Sequence, residues 1–361
     1  MSLLDEARLI INEVDSKMAE LFVKRMRAAE MVAEYKMQRG LKIYDAAREE
    51  EVVRRNSALI EDKVLREYYV NFLKNNMAVS REYQARLMGG MKVAYCGTEG
   101  AFAHIATSKR FPDAQKIAYG DFESAYEAVV KGECDAAVLP IENSYNGEVG
   151  QVTDLMFSGS LYVNGIMDLA VTQDLLAVKG TKLEEIKEVV SHPQALGQCA
   201  EFIKGRGLTA LEYTNTALAA KLVAEKGDKS IAAIASKEAA EIFGLEVLME
   251  NINSSRSNTT KFAIFSRAED KHSIKEMGVH TILLFTVRNE AGALAKAIEI
   301  IGKHGFNMRS LRSRPMKELL WQYYFYVEAE GNINTEEGAA MMRELRGYCD
   351  RLKSIGSFIK E

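Results

Sequence analysis

Cysteine and proline are both scarce in this chain, which has four of each among its 361 residues. The cysteines are widely scattered, with no CxxC pair and no histidine at metal-ligand spacing: Cys96, Cys134, Cys199 and Cys349. A disulfide framework needs cysteines in an oxidising compartment, and structural zinc needs cysteines or histidines in close clusters. We therefore expect neither disulfides nor a bound metal.

The chain also lacks an excess of positive charge and any long apolar run. Its formal net charge is −4, and Lys and Arg are interspersed with Asp and Glu, so nucleic acid is not an expected partner. No apolar run approaches the ~20 residues that cross a bilayer, and residues 1–6 lack the basic start of a signal peptide. We expect a soluble, cytoplasmic protein without membrane contact.

Helix breakers are almost absent from the first 88 residues, which contain no proline and only one glycine, Gly40. We predict a long helix ending near Gly40, a second helix over about 46–59 and a third over about 63–86. Apolar or small residues alternate in steps of three and four along the first helix, which predicts a coiled-coil-like seam: Leu4, Ala7, Ile11, Val14, Met18, Leu21, Ala28, Val32 and Tyr35.

After a hinge predicted at Gly89-Gly90, short β-rich runs alternate with helical stretches, which is the pattern of an α/β domain. The last block has the order strand, helix, two strands, helix, strand, which is the βαββαβ order of ferredoxin-like domains. The polar stretch 267–278 would join it to the middle of the chain. At this length several cores are expected, and we predict three domains, at residues 1–88, 91–268 and 279–361.

Arg25 falls on the apolar seam of the first helix, where a charge is costly unless something negative meets it. At about 100° per residue, Lys36 lies within roughly 20° of Arg25 on the same face, whereas Arg8 is turned about 100° away. A lone arginine at such a position more often extends to solvent or pairs with a glutamate.

Eight residues of this segment together resemble the all-helical chorismate mutase family: Arg8, Arg25, Lys36, Asp45, Arg48, Glu49, Ser80 and Gln84. The resemblance implies an intertwined dimer in which the partner subunit supplies the arginine of the first helix. It implies that the arginines hold the carboxylates of chorismate, and that Lys36 and Gln84 hydrogen-bond its ether oxygen. Glu49 would orient a hydroxyl, and Asp45 and Ser80 would support this arrangement. The rearrangement to prephenate is pericyclic and needs no cofactor.

Polar residues follow apolar runs at several places in the middle of the chain, as they do where open parallel sheets bind ligands. The runs are Gly97-Thr98-Glu99-Gly100, Pro140-Ile141-Glu142-Asn143-Ser144, Ser191-His192-Pro193-Gln194-Ala195-Leu196 and Asn258-Thr259-Thr260-Lys261-Phe262. Taken one at a time, such runs are commonly turns or loops, and a lone His192 is more often structural than catalytic.

In this order and at these separations, the runs resemble the prephenate dehydratase family over roughly residues 91 to 270. The resemblance implies two α/β lobes around a cleft, similar to a type 2 periplasmic binding fold. Thr260 would act as the donor at the departing hydroxyl, with Glu142, Asn143, Ser191 and Gln198 lining the cleft. Lys261, which replaces the more usual arginine, would attract a carboxylate. Thr98, Ala101 and Ala103 also depart from the proline, threonine and serine common in the family's glycine motif.

The last block contains two runs that resemble the phenylalanine-binding motifs of ACT domains. Ala291-Gly292-Ala293-Leu294 opens a predicted helix, and Leu311-Arg312-Ser313-Arg314-Pro315 ends a predicted strand. The resemblance implies a regulatory site at Gly292, Ala293, Leu294, Arg312, Ser313 and Arg314. Ala291 replaces the usual proline and Arg312 the usual glutamate. A domain retained only for oligomerisation is the alternative.

The sequence thus predicts a multidomain enzyme of phenylalanine biosynthesis. An all-α mutase would precede a two-lobed α/β dehydratase and a ferredoxin-like ACT domain, in a homodimer or larger homo-oligomer. Its ligands would be chorismate, prephenate and the effector phenylalanine. Two alternatives stay open: a dehydratase that prefers arogenate and uses its helical segment only to dimerise, and a non-catalytic sensor of small acids.

Overall fold

A computed structural model describes residues 2–41, 43–88, 90–254, 258–270, 278–316 and 321–359. The chain divides into two compact units, of which the first comprises Met1–Met91 with Asp113–Gln115 and the second the remainder. Gly89 of the predicted hinge and most of the predicted linker 267–278 lie outside the described residues.

The first unit contains the three predicted helices, α1 (Leu3–Arg39), α2 (Ala46–Ser57) and α3 (Lys63–Met88). A capping box between Ser2 and Asp5 begins α1. Gly40 ends it in the left-handed conformation, with φ at 62°, which glycine adopts without steric cost.

The apolar face of α1 is largely exposed. Within Leu3–Arg39 only Ala29 and Ala33 are buried. Leu4, Ile11 and Leu21, three members of the predicted seam, are 58%, 56% and 63% exposed. An apolar face of this length marks an interaction surface rather than an ordinary solvated one. None of the described helices is long and apolar enough to span a membrane.

In the rest of the chain strands and helices alternate. The strands are β1 (Lys92–Cys96), β2 (Gln115–Tyr119), β3 (Ala136–Asn143), β4 (Gly147–Glu148), β5 (Tyr162–Ala170), β6 (Asp174–Ala177), β7 (Glu188–Ser191), β8 (Thr209–Glu212), β9 (Ile231–Ala235), β10 (Glu246–Met249), β11 (Thr259–Ser266), β12 (Val279–Thr286), β13 (Asn307–Pro315), β14 (Tyr323–Glu330) and β15 (Arg351–Ile359). The helices are α4 (Phe102–Arg110), α5 (Phe122–Val130), α6 (Gly150–Ser158), α7 (Pro193–Gln198), α8 (Ala200–Gly205), α9 (Thr216–Lys226), α10 (Lys237–Phe243), α11 (Ala293–Lys303) and α12 (Glu336–Tyr348).

These strands form three sheets. The first sheet has the order β2-β1-β3-β11-β5, with β4 paired to β3, and the second has the order β10-β6-β9-β7-β8. The third sheet, β13-β14-β12-β15, belongs to the last block, which has the predicted order strand, helix, two strands, helix, strand. In the first sheet β11 lies between β3 and β5 and runs antiparallel to both.

The first and third sheets share one hydrophobic core. Leu139 and Phe265 of the first sheet belong to the same buried cluster as Leu284 and Tyr326 of the third. Tyr324 also stacks on Phe157 of α6, with ring centroids 4.2 Å apart. The aromatic run near residue 324 therefore packs in a sheet.

Strand β3 begins with the apolar run 136–139 and continues through Asn143. β11 pairs with it to the end, where Asn143 lies opposite Thr260. Pro140 lacks an N–H, and it is tolerated because β1 pairs with β3 only as far as Val138. The run 140–144, of a kind that is commonly a turn when taken alone, thus contains the end of a central strand.

Candidate active and regulatory sites

A cavity of about 380 Å³ lies between the first and second sheets. Asn143 and Thr260 line it from the first sheet, and His192, Gln198 and Asn215 line it from the second. Of the predicted dehydratase residues, the structure therefore brings Asn143, Gln198 and Thr260 to one cleft.

Asn143 and Thr260 are opposite each other on β3 and β11. Asn143 Nδ2 donates to Thr260 Oγ1 at 2.9 Å and to Asn258 Oδ1 at 2.8 Å. The Asn143 Oδ1 accepts from the backbone N–H groups of Tyr145 and Asn146, at 3.0 and 2.9 Å, which fixes the orientation of the amide. Since the Thr260 oxygen accepts from Asn143, the hydroxyl keeps its own proton to donate into the cleft.

The opposite wall is built of amides and helix caps. Gln198 is 8% exposed, and its Oε1 accepts from Gln173 Nε2 at 3.5 Å. His192 caps α7 by accepting the Gln194 N–H at Nδ1, which is a structural role. Sequence reasoning missed Gln173, although its position between two strands, β5 and β6, was a signal of the kind used for the other residues.

Glu142, Lys261 and Ser191 were expected at the cleft, and the structure corrects this. Successive side chains of a strand point to opposite faces, so Glu142 and Lys261 face away from the cleft that Asn143 and Thr260 line. Lys261 Nζ lies 3.3 Å from Glu142 Oε2 on that other face. Ser191 is fully buried below the cleft surface, where its hydroxyl donates to the Ile234 carbonyl at 2.5 Å.

The glycine loop reaches the cleft through the start of α4, where Ala101 and Phe102 line it. Gly97 and Gly100 have φ values of 110° and 83°, so glycine is needed at both positions. Ala101 caps α4 without a side-chain hydrogen bond, which leaves the first N–H groups of the helix to other acceptors.

In the first unit the structure places Arg25 beside Ser80, and Lys36 near Asp45 and Glu49. The Arg25 guanidinium donates to Ser80 Oγ and, at 3.2 Å, to the Asn76 carbonyl. The Lys36 ammonium donates to the Ile43 carbonyl. Burial lowers the pKa of Lys36, and the negative charges of Asp45 and Glu49 oppose this shift.

Two further predicted residues, Gln84 and Glu49, lie on the other two helices of this unit. Gln84 is 8% exposed, and its Oε1 has no hydrogen-bond partner within the described part of the chain. Glu49 pairs with Arg81, a residue that the sequence analysis missed although it lies between Ser80 and Gln84. Both Glu49 and Arg81 line a cavity of about 610 Å³ beside α2 and α3.

Arg8 and Arg48 do not join this cluster within one chain. Arg8 is exposed and precedes Arg25 by 17 residues, or about 25 Å along the helix axis. Arg48 Nη1 pairs with Glu51 at 2.6 Å on the exposed side of α2. Asp45 is the N-cap of α2 and accepts the Arg48 N–H at 2.9 Å.

The six predicted regulatory residues lie in two separate elements, three at the start of α11 and three on β13. Gly292 is the N-cap of α11, followed by the buried Ala293 and the partly buried Leu294. Strand β13 alternates, so that Arg312 and Arg314 face the first sheet while Ser313 is exposed on the other side.

Three family models match the chain in succession. They are chorismate mutase type II over residues 7–85, prephenate dehydratase over residues 93–270, and the ACT domain over residues 281–346. A bifunctional chorismate mutase/prephenate dehydratase from Neisseria gonorrhoeae is 31% identical over 359 residues, covering 97% of this chain and 95% of the relative. The chain belongs to the bifunctional chorismate mutase/prephenate dehydratase family. It is therefore an enzyme of phenylalanine biosynthesis with a three-domain layout.

Two other relatives resemble the dehydratase and ACT part of this enzyme. An Arabidopsis thaliana protein named arogenate dehydratase/prephenate dehydratase 2 is 32% identical over 277 residues, covering 74% of this chain and 72% of the relative. The crystal structure of a prephenate dehydratase from Arthrobacter aurescens in complex with L-Phe is 26% identical. It superposes with a TM-score of 0.68 and covers 74% of this chain and 90% of that chain.

Proposed function

We propose that this bifunctional enzyme performs its two reactions at the two clusters described above. The mutase reaction is assigned to the partly buried cations of α1, Arg25 and Lys36, with Glu49 and Gln84, and the dehydratase reaction to the cleft lined by Thr260. The observation that carries the dehydratase assignment is the hydrogen bond from Asn143 to the Thr260 oxygen at 2.9 Å.

In the dehydratase reaction prephenate loses its ring hydroxyl and one carboxylate as the ring becomes aromatic. The C–C bond to the carboxylate breaks, its electron pair enters the ring, and the C–O bond breaks at the other end. Hydroxide is a poor leaving group, so a proton donor at that oxygen lowers the barrier. Thr260 donates the proton, water and carbon dioxide leave, and phenylpyruvate remains. The Thr260 oxygen then takes a proton back from water, which releases hydroxide to the solvent and restores the hydroxyl. Threonine is a weak acid, so its fixed position beside Asn143 must contribute most.

Substrate carboxylates need partners in the same cleft. The starts of α4 and α9 both reach it, at Ala101 and Asn215, and free N–H groups at a helix start bind anions. Gln198 and Gln173 add amide donors on the second sheet. Lys261, which faces away, is not assigned to substrate.

In the mutase reaction chorismate, a dianion, must be held in its reactive shape. Burial lowers the pKa of both Arg25 and Lys36, so two partly desolvated cations lie close to where α1 meets α3. A bound dianion would offset that desolvation, and Lys36 with Gln84 would stabilise the charge that develops on the ether oxygen.

The mutase site is complete only in a dimer of the helical segment. Arg8 lies too far from Arg25 to act in the same chain, and the apolar face of α1 around it is exposed. A second copy of α1 would cover that face and bring its own Arg8 to the site. We accordingly assign residues 1–88 to an intertwined helical mutase, 91–268 to a periplasmic-binding-like dehydratase and 279–361 to a ferredoxin-like ACT domain.

We assign the effector role to phenylalanine. The ACT match and the L-Phe in the Arthrobacter aurescens structure support this assignment. Gly292 begins α11, an 11-residue helix, in the left-handed conformation without a side-chain cap, so N–H groups there are open to a carboxylate. The Arg312 guanidinium is paired with Glu142 and is not directed at the effector's ammonium.

The same cleft has a second candidate substrate, because a relative 32% identical is named for arogenate as well as prephenate. One experiment tests the assignments together. Purified enzyme is given chorismate, prephenate or arogenate, and prephenate, phenylpyruvate and phenylalanine are quantified. We expect phenylpyruvate from both chorismate and prephenate. If product forms with arogenate but not with prephenate, the cleft is assigned to arogenate. If the acids bind but no product forms, the protein is a sensor.

A further inference from the structure

The side chain of Arg312, on β13 of the third sheet, contacts Glu142 on β3 of the first sheet. Its Nη2 lies 2.6 Å from Glu142 Oε1, and the two side chains are only 19% and 31% exposed. The guanidinium also lies over the ring of Tyr326, 5.3 Å from the centroid, and Tyr326 is buried in the core shared by the two sheets. Arg312 is thus held between an aromatic ring of its own sheet and a carboxylate of the dehydratase.

This ion pair opens a chain of alternating charges, which we call the charge network: Arg312, Glu142, Lys261 and Glu328. Lys261 Nζ lies 3.3 Å from both Glu142 Oε2 and Glu328 Oε2. Glu328 is 3% exposed, and its Oε1 lies 3.2 Å from His280 Nδ1. Buried charges persist only where opposite charges compensate them, so each member depends on its neighbours.

Glu142 is the member that joins the two sheets. Burial alone would raise its pKa, but the hydrogen bond and charge of Arg312, followed by those of Lys261, hold the pKa of Glu142 below its ordinary value. The carboxylate is therefore ionised near neutral pH and attracts both cations.

The charge network lies on the opposite face of the strand ends that carry Asn143 and Thr260. Glu142 precedes Asn143 on β3, Lys261 follows Thr260 on β11, and the two pairs are in register. One face of these two strand ends carries the network, and the other face carries the hydrogen bond from Asn143 to Thr260. A shift of Glu142 would move the adjacent peptide and with it the Asn143 amide.

Two cations from different sheets meet at this carboxylate, Lys261 of β11 and Arg312 of β13. A glutamate at position 312 would place a second negative charge beside Glu142, whereas Arg312 supplies a second cation. Arg312 of the third sheet therefore forms a favourable ion pair with Glu142 at the end of β3.

We propose that Arg312 is a positioning residue of the dehydratase site. Its ion pair with Glu142 holds the ends of β3 and β11 so that Asn143 keeps the Thr260 hydroxyl aligned. The ACT sheet is thereby linked to the reaction through one arginine. This inference rests on the role proposed for Thr260.

The test is a double-mutant cycle with Arg312→Met, Glu142→Gln and both together, in the full-length enzyme. Phenylpyruvate formation by the wild-type enzyme is measured first. If the wild-type enzyme forms no phenylpyruvate, that result rejects the proposed function rather than the inference about Arg312. We expect Arg312→Met to lower kcat by roughly 10-fold to 100-fold with little change in KM, because the side chain does not touch substrate. If both residues act through one bond, the double variant should lie within about twofold of the worse single variant.

Two further variants separate positioning from general destabilisation. Arg309→Met removes the pair of Arg309 with Glu330, which lies wholly within the third sheet, and should leave kcat unchanged. Arg312→Lys keeps the charge but loses the planar stacking on Tyr326, so its kcat should lie between those of the wild type and Arg312→Met. Unchanged kcat in Arg312→Met would overturn the proposal, as would multiplicative losses in the cycle. Should Arg312→Met fail to fold, an unimpaired kcat in Glu142→Gln would overturn it equally.

Discussion

Asn143 Nδ2 lies 2.9 Å from Thr260 Oγ1, and the two residues are separated by 117 positions in the sequence. The bond links the ends of two neighbouring strands at the mouth of a cleft. It makes the threonine oxygen an acceptor from the protein, so the hydroxyl proton is directed elsewhere. In the proposed mechanism this bond positions Thr260, a weak acid, as the proton donor.

The first prediction concerns Lys36. Lys36→Ala should lower chorismate mutase activity by roughly two to four orders of magnitude, the loss expected from one preorganised donor at a developing oxyanion. Dehydratase activity with added prephenate should stay at the wild-type level. Lys24→Ala is the matched control, because Lys24 is exposed on the same helix. Equal mutase rates for the two variants would contradict the role of Lys36.

The second prediction tests whether Arg8 acts across a dimer. Arg8→Ala and Lys36→Ala chains should each be inactive as mutases when they are alone. When the two are unfolded together and refolded, half of the dimers are mixed, and each mixed dimer has one site with both residues intact. Roughly a quarter of the wild-type mutase activity should return. If Arg8 acted within its own chain, no activity would return.

The third prediction is a pH dependence of stability that arises from Lys353. Its Nζ donates to the carbonyls of Met156, at 2.6 Å, and Gly159. Burial, followed by the charge of Arg351, lowers the pKa of Lys353 from 10.5 to about 8. Between these values the unfolded chain binds the proton and the folded chain does not, so the contribution of Lys353 to folding rises with pH.

Thermal unfolding at closely spaced pH values checks this. The Tm of wild-type enzyme minus that of Lys353→Met should increase from pH 8 to pH 10.5 and be flat below pH 7. Taking the difference removes the titration of the other groups. Parallel Tm curves for the two proteins would contradict the assignment.

The fourth prediction concerns regulation by phenylalanine. Calorimetry should detect phenylalanine binding at millimolar concentration or below, and the same ligand should inhibit phenylpyruvate formation and change the scattering profile in parallel. Gly292→Trp should abolish inhibition, because Gly292 has a φ of 85° and its replacement strains and fills the start of α11. Inhibition that survives this substitution would place the effector elsewhere.

The elements of the fold could largely be predicted from the sequence. Helix breakers and periodicity predicted α1 to Gly40 and the strand–helix order of the last block, because these depend on residues close together along the chain. The extension of β3 through Pro140 could not be predicted in this way. It depends on pairing with β11, more than a hundred residues later, and on the early end of β1.

The residues of the site could likewise be predicted only in part from the sequence. The runs around Asn143 and Thr260 predicted the correct segments, but not which side chains face the cleft. Glu142 and Lys261 differ from their neighbours by one position, and one position on a strand reverses the face. That face is covered by the third sheet, whose packing no local pattern in the sequence indicated.

The most direct test of the account is the rate of phenylpyruvate formation from prephenate by Thr260→Val, beside Thr259→Val as the matched control. Valine nearly preserves the shape of threonine and removes the hydroxyl, and the Thr259 side chain points away from the cleft by strand alternation. The account predicts a loss of at least ~100-fold in kcat for Thr260→Val, with mutase activity intact and Thr259→Val close to wild type. Retention of more than about a tenth of the dehydratase activity in Thr260→Val would contradict it.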